Sequence, residues 1–222
     1  MKHRALPAAA LIALPLQYGA ASATPLDAAF EILRNDRPIG MHWVDVEETG
    51  DGLSVNTRIE MKVKFGPITM FRYEHRSEEF WRDGVLQTLD SWTDSNGRLL
   101  QLKAERTGDT LIVQGEDYDG PVPASAAPSS YWNKAIVDAE YLLNTQTGAL
   151  IPISKEPLGM TETPAGFDAE KFRLTGTVAL DLWYDGPRWV GADFIVRGER
   201  LKYRLVEDDR AAQIPIQSAA GN

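Results

Sequence analysis

Reactive side chains concentrate in one stretch, Phe71-Arg72-Tyr73-Glu74-His75-Arg76-Ser77-Glu78-Glu79-Phe80-Trp81. On a β-strand, alternate residues share a face, so Phe71, Tyr73, His75, Ser77, Glu79 and Trp81 would lie together. An imidazole would then stand among aromatic rings, with a hydroxyl and a carboxylate two and four residues on. His75 oriented by Glu79, or assisted by His42, could act as the general base of a hydrolase-type enzyme. A base without a nucleophile and oxyanion donors is not a catalytic site, so the preferred reading of His75 is a structural, hydrogen-bonded histidine. No catalytic residue is assigned beyond the weak candidates His75 and Glu79. His42 and His75 could also meet across strands near Asp45 or Glu79, but two histidines without a close-spaced motif do not specify a metal. We expect neither metal nor cofactor.

The serines add no stronger signal. Ser77, Ser91, Ser129 and Ser130 lack a G-x-S-x-G setting, and Ser129 or Ser130 is better read as a helix cap. The chain contains no P-loop and no G-x-G-x-x-G. Asp117, Asp119 and Gly120 resemble part of a calcium loop without its spaced ligands or terminal glutamate. What remains is an aromatic excess. Trp43, Phe71, Tyr73, Trp81, Trp92, Trp132 and Trp183, with His75, are candidates to line an apolar ligand cavity. Tyr184 and Trp189 belong to the same aromatic set, and for any single one of them core filling is the slightly better explanation.

The elements that would position these residues are strands. From Leu53 to Phe65 apolar and polar residues alternate: Leu53, Val55, Thr57, Ile59, Met61, Val63 and Phe65 on one face, Ser54, Asn56, Arg58, Glu60, Lys62 and Lys64 on the other. Burial on one side favours antiparallel sheets. Gly50-Asp51-Gly52, Asp83-Gly84, Asn96-Gly97, Gly108-Asp109 and Asp185-Gly186-Pro187 punctuate the pattern as turns. Strands are expected near 27–34, 39–48, 52–65, 69–82, 85–94, 98–106, 110–117, 149–159, 168–176, 178–185, 188–197 and 200–207. Pro121 to Pro128 reads as a loop or crossover. The spacing of Trp132, Ile136, Ala139 and Leu143 then predicts an α-helix near 130–143.

The fold class is therefore mainly β: a large antiparallel meander curled into an open or closed barrel, with one α-helix at its mouth or concave face. Residues 24–210 are read as one domain. Ala211–Asn222 is a small, polar tail expected to fray.

Residues 1–23 read as a signal peptide. Lys2 and Arg4 precede an apolar run from Ala5 to Leu16, and Ala21-Ser22-Ala23 supplies an A-x-A cleavage site. That run is shorter than the roughly 20 residues needed to span a bilayer. No cysteine follows it, which excludes an N-terminal lipid anchor. The 222 residues carry a formal charge of −9, or −11 without Lys2 and Arg4. Such acidity argues against nucleic-acid binding. With no cysteine in the chain, disulfides and cysteine–zinc sites are excluded, and a bacterial periplasm suits the composition. The expected location is periplasmic or secreted.

Three stretches resemble an uncharacterised family of exported proteobacterial β-rich proteins of unknown function. They are Glu79 to Leu86, Pro128 to Asn133, and Asp181 to Gly186 running on to Phe194. The later hairpins are also similar in layout to periplasmic lipoprotein-carrier half-barrels. That likeness implies a curved sheet, a helix over its concave side and an apolar ligand. The leading functional expectation is a non-catalytic binding or carrier module for a lipid or other small apolar molecule. The alternatives are the hydrolase built on His75 and an envelope scaffold that binds another protein, which would need an exposed apolar patch or strand edge.

Overall fold

A computed structural model describes residues 26–65, 68–177, 179–196 and 198–206. The expected signal peptide and the 211–222 tail lie outside the described residues. Fifteen strands form one sheet. The N-terminal half contributes β1 (Ala28–Arg34), β2 (Arg37–Thr49), β3 (Gly52–Phe65), β4 (Ile68–Arg82), β5 (Val85–Ser95), β6 (Arg98–Thr107), β7 (Thr110–Gln114) and β8 (Asp119–Val122). The C-terminal half contributes β9 (Ala126–Pro128), β10 (Tyr141–Leu143), β11 (Leu150–Glu162), β12 (Asp168–Gly176), β13 (Ala179–Asp185), β14 (Arg188–Val196) and β15 (Glu199–Val206).

Each half is a meander, and the two are joined where β1 pairs with β15. The spatial order runs from β8 back to β1, across to β15, and back to β9, so the two sheet edges are consecutive in the chain. The result is a nearly closed barrel. Every pairing is antiparallel except that of β9 with β10.

Local chemistry explains the regularity. Asp83-Gly84 and Asn96-Gly97 have positive φ at both residues (51° and 74°, 57° and 91°), the requirement of a two-residue type I′ hairpin turn. Asn35-Asp36 does the same without glycine (49° and 63°), and is tied down by Lys202 on Asp36 at 2.7 Å and by Asn35 on Glu199 at 2.8 Å. The β3 alternation holds: Val55 and Thr57 are buried, while Arg58 pairs with Glu60 on the outer surface.

The α-helix expected near 130–143 is not there. The segment instead holds a single 3-10 turn, Lys134–Asp138, capped by Asn133, whose side chain accepts from the Ala135 amide. Trp132, Ile136, Ala139 and Leu143 are all buried, as their spacing suggests. The backbone, however, finds its partners in the sheet. Glu140 donates to Ser125 (2.8 Å), Ser129 to Leu143 (3.0 Å) and Ile153 to Glu140 (2.9 Å). Amides and carbonyls held in those pairings are not free for i→i−4 bonds, and the β-branched Ile136 and Val137 add little helical preference. Neither Ser129 nor Ser130 is a helix cap. The short strands β8, β9 and β10 lie in the stretch read as loop and helix.

Candidate functional site

The inward face of β2 to β5 is built in rows, each row crossing the strands at one level. His42, Ile59, His75 and Thr93 are successive partners from β2 to β5. One level towards the 35–36 and 96–97 turns lie Met61, Tyr73 and Ser95; one level away lie Thr57, Ser77 and Ser91. Below these come Val55 and Glu79, then Leu53 and Trp81.

A cavity of about 570 Å³ occupies the upper part of the barrel. Apolar side chains make much of its wall: Ile39, Ile59, Met61, Val63 and Phe71 from one half, Leu142, Ile151, Leu180, Phe194 and Leu201 from the other. His42, Thr57, Tyr73, His75, Ser130, Tyr131 and Tyr203 bring polar atoms to it. Arg34 and Glu199 stand at the rim and pair at 2.5 Å. The other lining residues are uncharged types apart from the two histidines.

Both histidines are held neutral. Burial, and then the nearby His75, pull His42 down to about 3, and burial alone pulls His75 to about 4. His42 is clamped edge-on by Trp189 (5.1 Å) and Tyr203 (5.4 Å). Neither of its ring nitrogens has a hydrogen-bond partner, and Thr57 Oγ1 also lacks one. His75 Nδ1 meets Thr93 Oγ1 at 2.8 Å.

Glu79 is not the partner of His75. Four residues along a strand separate their backbones by about 13 Å. Glu79 Oε2 accepts from the indole N–H groups of Trp81 (2.7 Å) and Trp132 (2.9 Å). The two indoles meet edge to face at 5.5 Å, deeper in the barrel than the residues that line the cavity. Burial pushes the Glu79 carboxyl above the usual carboxylate range, opposed by Trp132, Ser130 and Trp81. The Ser130 hydroxyl is near enough to act on that charge, but it makes no hydrogen bond of acceptable geometry, and Glu79 Oε1 is unpartnered. His42 is also no orienting partner for His75, since neither of its ring nitrogens makes a hydrogen bond. Among the described residues no cluster of three metal-ligating side chains occurs.

The structure places Phe71, Tyr73 and His75 in the cavity wall. Trp81 and Trp132 lie deeper in the barrel, outside the lining. The expectation for Trp43, Trp92 and Trp183 is corrected, because the alternation turns all three outward. Trp43 carries the Arg58 guanidinium over its ring at 5.1 Å. Trp92 stands between Arg76 and Gln101. Trp183 packs with Ala169 and Val190 in a separate cluster, under Lys171 at 4.5 Å. The aromatic count alone could not separate the two faces. Sequence reasoning also missed Tyr131, Phe194, Leu201 and Tyr203, although the alternation of Leu201 and Tyr203 marks them as one face of β15.

A sequence profile of a domain of unknown function, DUF6134, matches residues 30–206. The chain belongs to this family. Its matched region takes in β2 to β15, all but the first two residues of β1, and the whole cavity wall described above. No match to a curated protein is found. The DUF6134 chain is similar in structure to a crystal structure of a β-barrel-like protein, of domain of unknown function DUF1849, from Brucella abortus. The TM-score is 0.58 at 9% identity, covering 83% of this chain and 98% of that one. At that identity the likeness is one of fold alone.

Proposed function

We propose that this DUF6134 protein is a non-catalytic binding or carrier module that holds a lipid or other apolar molecule inside its barrel. The cavity carries the reading. Its volume of about 570 Å³ falls within the roughly 300–1,000 Å³ of ligand pockets, which are apolar with a few placed polar groups. Sheets packed only to fill a core leave few voids larger than a water molecule. The N-terminal sequence pattern supports a periplasmic or secreted setting. The test is native mass spectrometry and solvent extraction of full-length protein purified from a bacterial periplasm, with titration of N-phenyl-1-naphthylamine. A co-purifying apolar molecule, or saturable fluorescence enhancement at one probe per chain, is the expected result. A ligand-free protein that leaves the probe dark defeats the proposal.

The scaffold alternative draws on a different observation. Met70, Leu99 and Ile195 are 60, 63 and 65% exposed at the open end of the barrel. A protein docked there would meet the cavity mouth, so a pull-down that loses its catch on Met70→Ser/Leu99→Ser/Ile195→Ser substitution separates this reading from ligand carriage.

A further inference from the structure

The cavity is graded along its depth. Nearest the mouth are apolar residues, with Val63 and Phe71 on one wall and Phe194 and Ile195 on the other. Two levels deeper the β2–β4 wall turns polar at His42 and His75, and one level below them lies Thr57. His42 is 1% and Thr57 4% exposed, and their side-chain polar atoms have no protein partner. A buried polar atom left unpaired destabilises the fold, so a wall residue whose two ring nitrogens are sealed and unpaired is a site for a ligand's hydrogen-bonding group once the ring turns towards the cavity. The rim ion pair Arg34–Glu199 cancels its own charge, and Asn35 also donates to Glu199. No free cation faces the deep wall among the described lining residues.

We propose that the cavity takes an uncharged amphiphile of the long-chain alcohol class, its hydroxyl seated on His42, Thr57 and His75 and its alkyl chain directed to the mouth. This rests on the binding reading above and adds the head group and its orientation. A neutral imidazole offers one donor and one acceptor, and a threonine hydroxyl offers both. An alcohol head matches that set without bringing a charge into a cavity with nothing to neutralise it. A carboxylate or phosphate head seated there would be an unpaired ion removed from water, which is strongly unfavourable. A pure hydrocarbon would leave His42 and Thr57 as unpaired as they are now.

The experiment is displacement of N-phenyl-1-naphthylamine from the full-length protein at pH 7.5 by 1-dodecanol and by dodecanoate, which share a chain length. Dodecanol should displace the dye at a concentration at least about tenfold lower, since each tenfold corresponds to 1.4 kcal/mol. Thr57→Val and His42→Phe keep the shape of the wall and remove its hydrogen-bonding groups. Each should weaken dodecanol roughly two- to tenfold after correction for that variant's own dye affinity, with circular dichroism to verify folding. Dodecanoate displacing as well as dodecanol overturns the head-group inference and leaves the apolar cavity standing. Dye that never binds overturns both. Wild-type selectivity needs no variant, so a substitution that fails to fold does not spare the proposal.

Discussion

Replacing Trp132 by phenylalanine removes one of the two donors that hold the buried Glu79 carboxyl. The Trp132 indole donates to Glu79 Oε2 at 2.9 Å, and both side chains are almost completely buried (4% and 2% exposed). A hydrogen bond to a charged group contributes about 1.5–3 kcal/mol, against about 0.5–1.5 kcal/mol between neutral groups. For a folded unit of this size each kcal/mol moves Tm by about 2–4 °C, so Trp132→Phe should lower Tm by about 3–12 °C. Part of that loss is packing, because phenylalanine is smaller and the indole packs edge-on against Trp81. A double-mutant cycle with Glu79→Gln removes the packing part, which is common to both backgrounds. Measured by urea unfolding at pH 8, the two substitutions should couple by about 1 kcal/mol, the excess of the charged bond over the neutral one.

The pH dependence carries a sign. Burial raises the folded pKa of Glu79 above its ordinary 4.5, so just above that value the native state binds more protons than the unfolded chain. Stability from this group is then complete below pH 4.5 and declines as pH rises through the folded pKa. Glu79→Gln should abolish that decline, and the penalty of Trp132→Phe should grow across the same window as acid becomes carboxylate. Additivity within about 0.5 kcal/mol, together with an equal penalty at pH 4 and pH 8, would refute the charged clasp.

The histidines slope the other way. Their pKa values fall from 6.5 to about 3 and about 4 on folding, so stability is full above pH 6.5 and is lost as pH drops towards the folded values, by several kcal/mol near pH 4. Urea midpoints should follow that course and His42→Phe should flatten it; a histidine Cε1–H resonance titrating near 6.5 would rule it out. Thr57→Val and Ser77→Ala remove buried hydroxyls that have no partner, and each should leave ligand-free Tm unchanged or raise it; a fall of several degrees would mean that these hydroxyls are satisfied in the folded protein. Gly40→Ala places a methyl group 2.0 Å from the Glu60 carbonyl oxygen, which overpacks the β2–β3 ladder by about 1–3 kcal/mol or more, and a thermal melt identical to wild type would contradict that geometry.

The strands were legible because most of them, β3 to β7 above all, bury a single face, and the turns because Asn-Gly and Asp-Gly admit positive φ at both positions. Twelve expected strands correspond to observed ones, with ends shifted by a few residues. The 119–143 region was not legible. Its apolar residues recur at helical spacing, but that spacing reports burial, and an irregular segment packed into the barrel core buries the same residues. The pairings that decide its backbone, Glu140 with Ser125, Ser129 with Leu143 and Ile153 with Glu140, join residues 13 to 15 positions apart that carry no local signal. The site was partly legible. Phe71, Tyr73 and His75 follow from the parity of β4, while Tyr131, Phe194, Leu201 and Tyr203 come from the far half of the chain and need the β1–β15 closure to reach the same space. Parity would also have turned Trp43 and Trp92 outward had it been applied to β2 and β5.

That closure has a consequence for how the cavity is made. The polar groups of its strand wall, His42, Thr57, Tyr73, His75 and Ser95, come from β2 to β5, whereas the strands of the other half contribute mainly Leu142, Ile151, Leu180, Phe194 and Leu201. Had the polar positions of the two halves faced each other, the side chains could have paired and closed the space. Facing a mostly apolar set of strands, His42 and Thr57 are left without a partner. The void and its unpaired donors and acceptors are thus two results of one arrangement. A substitution that adds a hydrogen-bonding group to the apolar strands of the other half, such as Leu201→Gln in the cavity wall, should shrink the cavity and weaken dye binding while sparing the strand order.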